Sequence, residues 1–186
     1  NIKDKIEVTI MNVGRVTSLL HNISKNISLG IRGPYGKGYP LDNFEGKDVL
    51  IVGGGVGLAP LRSLLFSLFA LDGYNKIVLC YGARTPSDLL YKDAILEWAK
   101  KKKVDVVTTV DVGDAAWKGN VGLVTTILKD PPVNLKKAVS AVCGPPIMMK
   151  FVTLKLLDLG FRPQDIYLSM EKNMSCGLGK CGHCRI

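Results

Sequence analysis

Three glycines, a valine and a fourth glycine form the strongest candidate in this chain for binding a ligand. The run comprises Gly53, Gly54, Gly55, Val56 and Gly57. Glycine has no Cβ, so this backbone can turn tightly and lie close to a ligand. Pro60 suits the first turn of a helix, whose free N–H groups and positive dipole end favour a pyrophosphate. The pattern predicts a strand, a phosphate-binding turn and a helix, although a tight connection without a ligand would look the same.

Regular alternation of strand and helix patterns surrounds this turn between residues 46 and 164. Strands are predicted at residues 48–52, 76–81, 104–110, 138–143 and 166–170. Helices are predicted at residues 61–71, 87–102, 121–128 and 146–159. Strands that alternate with helices of these lengths predict an α/β fold with a doubly wound, five-stranded parallel sheet.

Ligands of such sheets bind beyond the carboxyl ends of the strands, at the point where the strand order reverses. Residues 53–57 follow the first predicted strand, Arg84 follows the second, Asp111 follows the third, and residues 143–146 follow the fourth. Two of these ends are glycine turns that lead into helices beginning near proline. This repetition favours a nucleotide site over a purely structural turn.

Residues 1–45 have the character of the end of a β domain. Strands are predicted at residues 5–11 and 26–32, and a turn-rich connection follows at residues 33–38. Two or three strands without partners would be only marginally stable, so further strands are expected before them. We therefore expect the chain to be a fragment, divided at residues 1–45, 46–166 and 167–186.

Composition limits the class of protein. The chain has 186 residues, is 47% hydrophobic and carries a formal net charge of +9. No stretch is apolar enough for membrane insertion, and no leader is recognisable, so a cytoplasmic protein is expected. The positive charge suits nucleotide phosphates or an acidic protein partner, although a lysine-rich surface explains it more simply. Without interleaved aromatic residues, the charge does not indicate a nucleic-acid partner.

The five cysteines are too unevenly placed for a disulfide framework. Cys80 and Cys143 fall in apolar strand segments, whereas Cys176, Cys181 and Cys184 lie within the last eleven residues.

Four motifs in this order and spacing resemble the ferredoxin-NADP reductase superfamily, and the resemblance covers essentially the whole chain. They are Gly33-Pro34-Tyr35-Gly36, residues 53–60, Cys143-Gly144-Pro145-Pro146 and the cysteine-rich residues 176–184. The last motif is similar to that of electron-transfer subunits of sulfhydrogenase (the gamma subunit), dihydroorotate dehydrogenase and anaerobic sulfite reductase.

The resemblance implies a remnant of an N-terminal FAD-binding β-barrel, an NAD(P)-binding domain and the start of a [2Fe-2S] segment. It implies a flavin pyrophosphate contact at Gly14, Arg15, Val16 and Thr17. It also implies cluster ligation by Cys176, Cys181 and Cys184, with a fourth cysteine beyond the end of this chain, since such a cluster needs four thiolates. A zinc site that adds His183 to these three cysteines is the alternative.

The resemblance also implies roles near the reacting groups. Cys143 would form a wall beside the nicotinamide, and Gly144 would let the cofactor approach closely. Pro145 would also belong to the cofactor-binding residues, and Glu171 would lie beside the flavin. A buried strand cysteine and an exposed acid are the structural alternatives. At the adenosine end, Arg84 would pair with a ribose phosphate, with a surface arginine as the structural alternative. Asp111 would accept a hydrogen bond from a free 2′-hydroxyl, which favours NADH without excluding NADPH.

The function implied is an oxidoreductase subunit that moves electrons between NAD(P)H, FAD and a [2Fe-2S] cluster, to or from a partner. The partner would be a hydrogenase-like subunit, with a dihydroorotate dehydrogenase subunit as the alternative and ferredoxin as a further candidate. A nucleotide-binding module without redox activity is the alternative outside the enzyme class. The sequence leaves the terminal acceptor, the direction of electron flow and the oligomeric state open.

Overall fold

The computed structural model describes residues 5–171, 175–176, 178 and 180–183, and the chain divides into two units. The larger unit is Tyr39–Met170, and the smaller one combines Asn1–Gly38 with Glu171–Ile186. The helices are α1 (Arg15–Asn22), α2 (Leu58–Leu71), α3 (Lys92–Ala99) and α4 (Pro146–Asp158). None of the helices in the described ranges is long and apolar enough to cross a membrane.

One parallel sheet of six strands forms the centre of the larger unit. Its strands are β1 (Asp48–Gly54), β2 (Lys76–Ala83), β3 (Val104–Val110), β4 (Asn120–Val121), β5 (Ala138–Cys143) and β6 (Ile166–Leu168). They lie side by side in the order β4-β3-β2-β1-β5-β6, and every neighbouring pair is parallel. The chain builds outward from β1 through β2 and β3 to β4, then crosses to the other side of β1 to form β5 and β6. The strand order therefore reverses between β1 and β5.

Both faces of this sheet are covered, which explains why β1 is apolar without alternation. Val49 and Ile51 point into a core formed with α2 and α3, whereas Leu50 and Val52 point into a second core formed with α4 and the 3-10 turn Val124–Leu128. All four side chains are fully buried. Burying a side chain of this size contributes about 1.5–3 kcal/mol, so the central strand is held firmly on both sides.

The amino-terminal edge of the sheet is closed by the buried carboxylate of Asp48. It accepts hydrogen bonds from Asn75 Nδ2 at 2.5 Å and from the backbone N–H of Asn134 at 2.6 Å. These bonds fix the loops before β2 and β5 at the edge opposite the glycine turn.

The α/β fold with a parallel sheet is confirmed, but two predicted helices and the strand count differ. The helix predicted at residues 121–128 is a two-residue strand, β4, followed by a 3-10 turn. Gly122 interrupts it with φ of +133°, and the β-branched residues that follow favour a helix only weakly. The helix predicted at residues 87–102 is limited to α3, because Tyr91 adopts a left-handed φ of +52° just before it.

The smaller unit differs more from the prediction. The strands predicted at residues 5–11 and 26–32 are wrong, because the described part of this unit contains α1 and irregular backbone only. A strand needs a hydrogen-bonded neighbour, and neither segment pairs with one among the described residues. Their apolar side chains are therefore exposed, as at Ile6 and Ile31, which are 79% and 74% exposed.

Candidate functional site

The glycine run forms the predicted strand, turn and helix. β1 ends at Gly54, Gly55–Gly57 make one 3-10 turn, and α2 begins at Leu58. Gly55 has φ of +53°, a left-handed conformation that side chains other than glycine rarely adopt. Pro60 is the third residue of α2, in the first turn, where its missing N–H leaves no hydrogen bond unmade.

A second glycine turn, after β5, packs directly against the first. The strands are in register there, since Gly53 pairs with Cys143. A Cβ on Gly57 would lie 2.5 Å from the carbonyl carbon of Cys143 and 2.7 Å from the nitrogen of Gly144, so only glycine fits. The two turns form one continuous backbone surface at the point where the strand order reverses.

Met148, which the sequence did not single out, lies beside both turns. A Cβ on Gly54 would overlap its sulfur, and a Cβ on Gly144 would lie 2.7 Å from its Cε. A thioether side chain adapts to irregular spaces, which suits a position between two glycine backbones. Its position in the first turn of α4 is the signal that could have indicated it.

Tyr81 is a second contact that the sequence analysis missed. Its side chain is fully buried, and its hydroxyl donates to the carbonyl of Gly55 at 3.0 Å and accepts from the N–H of Leu90 at 3.2 Å. Burial raises the pKa of Tyr81, so the phenol stays neutral and able to donate. A tyrosine at the end of an otherwise apolar strand is a signal that its hydroxyl has a partner.

Arg62 of α2 makes a second link to the loop between β2 and α3. Its guanidinium lies 4.5 Å from the ring centre of Tyr91 and 5.0 Å from that of Phe66. Cation–π contacts of this kind stabilise by about 0.5–2 kcal/mol. Tyr81 therefore ties the loop after β2 to the first glycine turn, and Arg62 ties the same loop to α2.

Arg84 and Asp111 are brought to the same edge of the sheet, as predicted from their positions after β2 and β3. Both are exposed. Their backbones are joined, because the N–H of Asp111 donates to the carbonyl of Ala83 and the N–H of Val112 donates to that of Arg84, each at 2.9 Å. The charged side chains are therefore available to a ligand that extends along this edge.

Cys143 lies at the buried carboxyl end of β5, next to the half-buried Gly144 and the exposed Pro145. Tyr39 lies close to Cys143 and Ser169, and burial is the main cause that raises the pKa of its phenol. Tyr39 is not among the residues predicted from the sequence. Cys80 is different in kind, since it is buried inside β2, and burial raises its pKa to about 12.

Gly14–Thr17 in the smaller unit form the start of α1. The Thr17 hydroxyl accepts the N–H of Gly14 at 2.8 Å and that of Val13 at 3.0 Å. Arg15 and Val16 are exposed in the first turn. Glu171, the other residue assigned to the flavin, is exposed and also belongs to this unit.

The cysteine-rich segment is only partly described, since Cys184 lies outside the described residues. The sulfur of Cys176 accepts the N–H of Leu178 at 3.3 Å. Backbone hydrogen bonds lower the pKa of Cys176 to about 6, and the bond from the Leu178 N–H has the largest effect. The lowered pKa favours the thiolate form. Within the described residues, no three His, Cys, Asp or Glu side chains come together as a metal site.

Comparison with known proteins identifies the family to which the larger unit belongs. Residues 51–153 match the family model described as "Oxidoreductase NAD-binding domain". The chain belongs to this family. The match includes both glycine turns, Arg84 and Asp111, and it confirms the resemblance that the sequence motifs indicated.

Relatives of this chain include a sulfhydrogenase subunit and an electron transfer subunit. It is 36% identical to the sulfhydrogenase 2 subunit gamma of Pyrococcus furiosus, over 96% of this chain and 66% of that protein. It is 34% identical to a probable dihydroorotate dehydrogenase B (NAD(+)) electron transfer subunit of Methanothermobacter thermautotrophicus, over 98% of this chain and 62% of that protein. The chain thus spans slightly less than two thirds of these relatives.

Solved structures support the fold of this NAD-binding oxidoreductase domain. A ferredoxin NADP+ reductase from Neisseria gonorrhoeae with bound FAD and NADP matches 86% of this chain and 71% of its own, with a TM-score of 0.66 and 18% identity. At this identity the similarity concerns the fold alone.

Proposed function

We propose that this chain is the NAD(P)H-binding part of an electron-transfer oxidoreductase subunit that connects a nicotinamide nucleotide, FAD and a [2Fe-2S] cluster. The observation that carries the proposal is the pair of glycine turns in contact where the strand order reverses, within the region that matches the NAD-binding family. Ligands of parallel α/β sheets bind at this place.

The pyrophosphate would lie against the first glycine turn. The N–H groups of Gly55, Val56 and Gly57 lie just before α2, where the positive end of the helix dipole favours an anion. Gly55 and Val56 are half-buried, so their backbone can be reached from solvent.

The nicotinamide would lie against Cys143, Gly144 and Pro145. Cys143 is only 8% exposed. This burial suits the role of a wall that excludes water and does not suit the role of a nucleophile. Gly144 presents bare backbone, and Pro145 keeps the start of α4 rigid. This part of the chain would orient the ring while excluding water from the transferred hydride.

The other two cofactors belong to the proposal as well. FAD would be bound through Gly14, Arg15, Val16 and Thr17, with Glu171 beside its ring. The cluster would be held by Cys176, Cys181 and Cys184, and the hydrogen bonds that favour the Cys176 thiolate fit a ligand to iron. A bound flavin would take up a hydride as two electrons and release single electrons to the cluster.

The partner would be another subunit of a redox complex. The sulfhydrogenase gamma relative, at 36% identity, supports a hydrogenase-like partner, and the dihydroorotate dehydrogenase relative supports the alternative. Ferredoxin is a further candidate. A cytoplasmic location is also part of the proposal. A nucleotide-binding module without redox activity is the competing function, and it would contain neither flavin nor iron when isolated from its source at full length.

The test is isothermal titration calorimetry of the chain with NADH and, separately, NADPH. Because the carboxylate of Asp111 would repel a 2′-phosphate and accept a bond from a free 2′-hydroxyl, we expect NADH to bind more tightly. Asp111→Asn should reduce this preference, and Arg84→Ala should weaken both nucleotides.

Asp105→Asn is the matched control for Asp111→Asn, since Asp105 lies near the opposite end of β3 in an exposed ion pair with Lys76. Binding of neither nucleotide at millimolar concentration by the folded chain would contradict the proposal.

A further inference from the structure

The hydroxyl of Tyr81 is the only part of this buried side chain that is polar, and it lies between two loops. Through it, the carbonyl of Gly55 and the N–H of Leu90 are joined, at 3.0 and 3.2 Å. The ring itself packs beside the first glycine turn, since a Cβ on Gly53 would lie 3.3 Å from its Cδ2. A phenylalanine would make the same apolar contacts, so the hydroxyl calls for a separate explanation.

The direction of one peptide group gives that explanation. In a trans peptide the C=O of one residue and the N–H of the next point to opposite sides. The Gly55 carbonyl points inward, where it accepts both the Tyr81 hydroxyl and the N–H of Leu58. The N–H of Val56, in the same peptide plane, is therefore turned away from Tyr81 toward the open end of α2.

We propose that Tyr81 is a positioning residue for the dinucleotide, which acts by fixing the Gly55–Val56 peptide so that the Val56 N–H faces the pyrophosphate. The inference rests on the proposed function, because it names how this chain prepares the turn for that ligand. Gly55 adopts a left-handed φ that glycine can easily leave. The Tyr81 hydroxyl adds a second hydrogen bond to that from the Leu58 N–H, and together they hold the Gly55 carbonyl in one orientation.

The same hydroxyl connects the turn to the adenosine side of the site. Leu90 belongs to the loop that begins with Arg84 at the end of β2, and the Leu90 N–H is bound by Tyr81. The residue that fixes the pyrophosphate donor thus also limits the movement of the loop that carries Arg84. Pre-ordering both groups before binding reduces the conformational entropy that the protein would otherwise lose when the ligand binds.

Tyr81→Phe tests this inference, with ADP-ribose as the probe because it contains the pyrophosphate and lacks the nicotinamide. We expect the Kd of ADP-ribose, measured by calorimetry on the whole chain, to rise about tenfold. In a ¹⁵N-resolved NMR spectrum, the shift that ADP-ribose causes at the Val56 amide should shrink in the variant.

Tyr167→Phe is the matched control. The Tyr167 hydroxyl accepts a hydrogen bond from Asn43 at 2.9 Å, so this variant loses a tyrosine hydroxyl bond in the same unit without touching the glycine turn. It should keep the wild-type Kd. An equal loss of affinity in both variants would overturn the inference, since it would indicate general loosening.

An unchanged Kd in folded Tyr81→Phe would also overturn the inference, while binding by the wild type would leave the proposed function supported. Failure of the wild type to bind ADP-ribose would instead contradict the proposed function. Amide hydrogen exchange on the wild type needs no variant: saturation with ADP-ribose should slow exchange at Val56. Unslowed exchange there would count against the inference even if Tyr81→Phe does not fold.

Discussion

Gly57 shows how strongly this site depends on a missing side chain. A Cβ there would lie within 2.7 Å of backbone atoms of Cys143 and Gly144, which continue a central strand and cannot move away easily. We expect Gly57→Ala to reduce the free energy of unfolding by about 1–3 kcal/mol and to weaken ADP-ribose binding. Urea denaturation and calorimetry measure the two effects.

Gly30→Ala is the control for the same chemical change. A Cβ on Gly30 would meet nothing within 4 Å, and its φ is not in the left-handed region. Its free energy of unfolding should stay within about 0.5 kcal/mol of the wild type. If both variants unfolded at the same urea concentration, the result would contradict the close packing of the two glycine turns.

Because of Cys80, the free energy of unfolding should depend on pH in the alkaline range. Burial raises the pKa of its thiol from the ordinary 9.0 to about 12. Between these values the unfolded chain has released the proton and the folded chain has kept it, so stability falls as pH rises from about 9 to 12. Below about pH 9 both states keep the proton, and this contribution is constant.

The measurement compares urea unfolding of the wild type and Cys80→Ala at pH 8 and pH 10. The wild type should lose about 1–2 kcal/mol more than the variant over this interval. The cavity left by alanine lowers stability equally at both pH values, so it cancels in the difference. Identical losses in the two proteins would show that the Cys80 thiol is not protected by burial.

At the level of whole elements, the strands and helix starts that could be predicted are those whose own residue types allow only one structure. The apolar runs of β1, β2 and β5 could only be strands buried on both faces, and glycine and proline marked where α2 and α4 begin. Residues 5–11 and 26–32 carry a strand pattern too, but whether a strand forms depends on its hydrogen-bonded neighbour. That neighbour is a property of the tertiary structure, which a local pattern does not contain.

The candidate site follows the same division. The glycine turns, Arg84 and Asp111 could be predicted, because their position after a strand places them at one edge of a parallel sheet. Tyr81 could not be linked to Gly55, since the two residues are 26 positions apart and meet only through the pairing of β1 with β2. The assignments of FAD to residues 14–17 and of the cluster to the cysteines stay predictions.

Considered as a whole molecule, the chain concentrates its stabilising contacts in the larger unit. Within the part of the chain that the structure describes, all six strands and every buried residue of the two apolar cores lie between residues 39 and 170. The loops that close the amino-terminal edge through Asp48, and the two glycine turns, lie in the same range. A unit with a complete core of its own can in principle fold alone.

We therefore expect the fragment 39–170 to fold by itself and to bind ADP-ribose with a Kd within about threefold of that of the whole chain. Its loss of circular dichroism on heating should be a single cooperative transition, because no core residue has been removed. A folded fragment with much weaker binding would show that residues 1–38 or 171–186 contribute to the nucleotide site. A fragment that does not fold would show that those segments stabilise the sheet by contacts outside its two cores. Retained folding and affinity together would place nucleotide binding in the α/β unit.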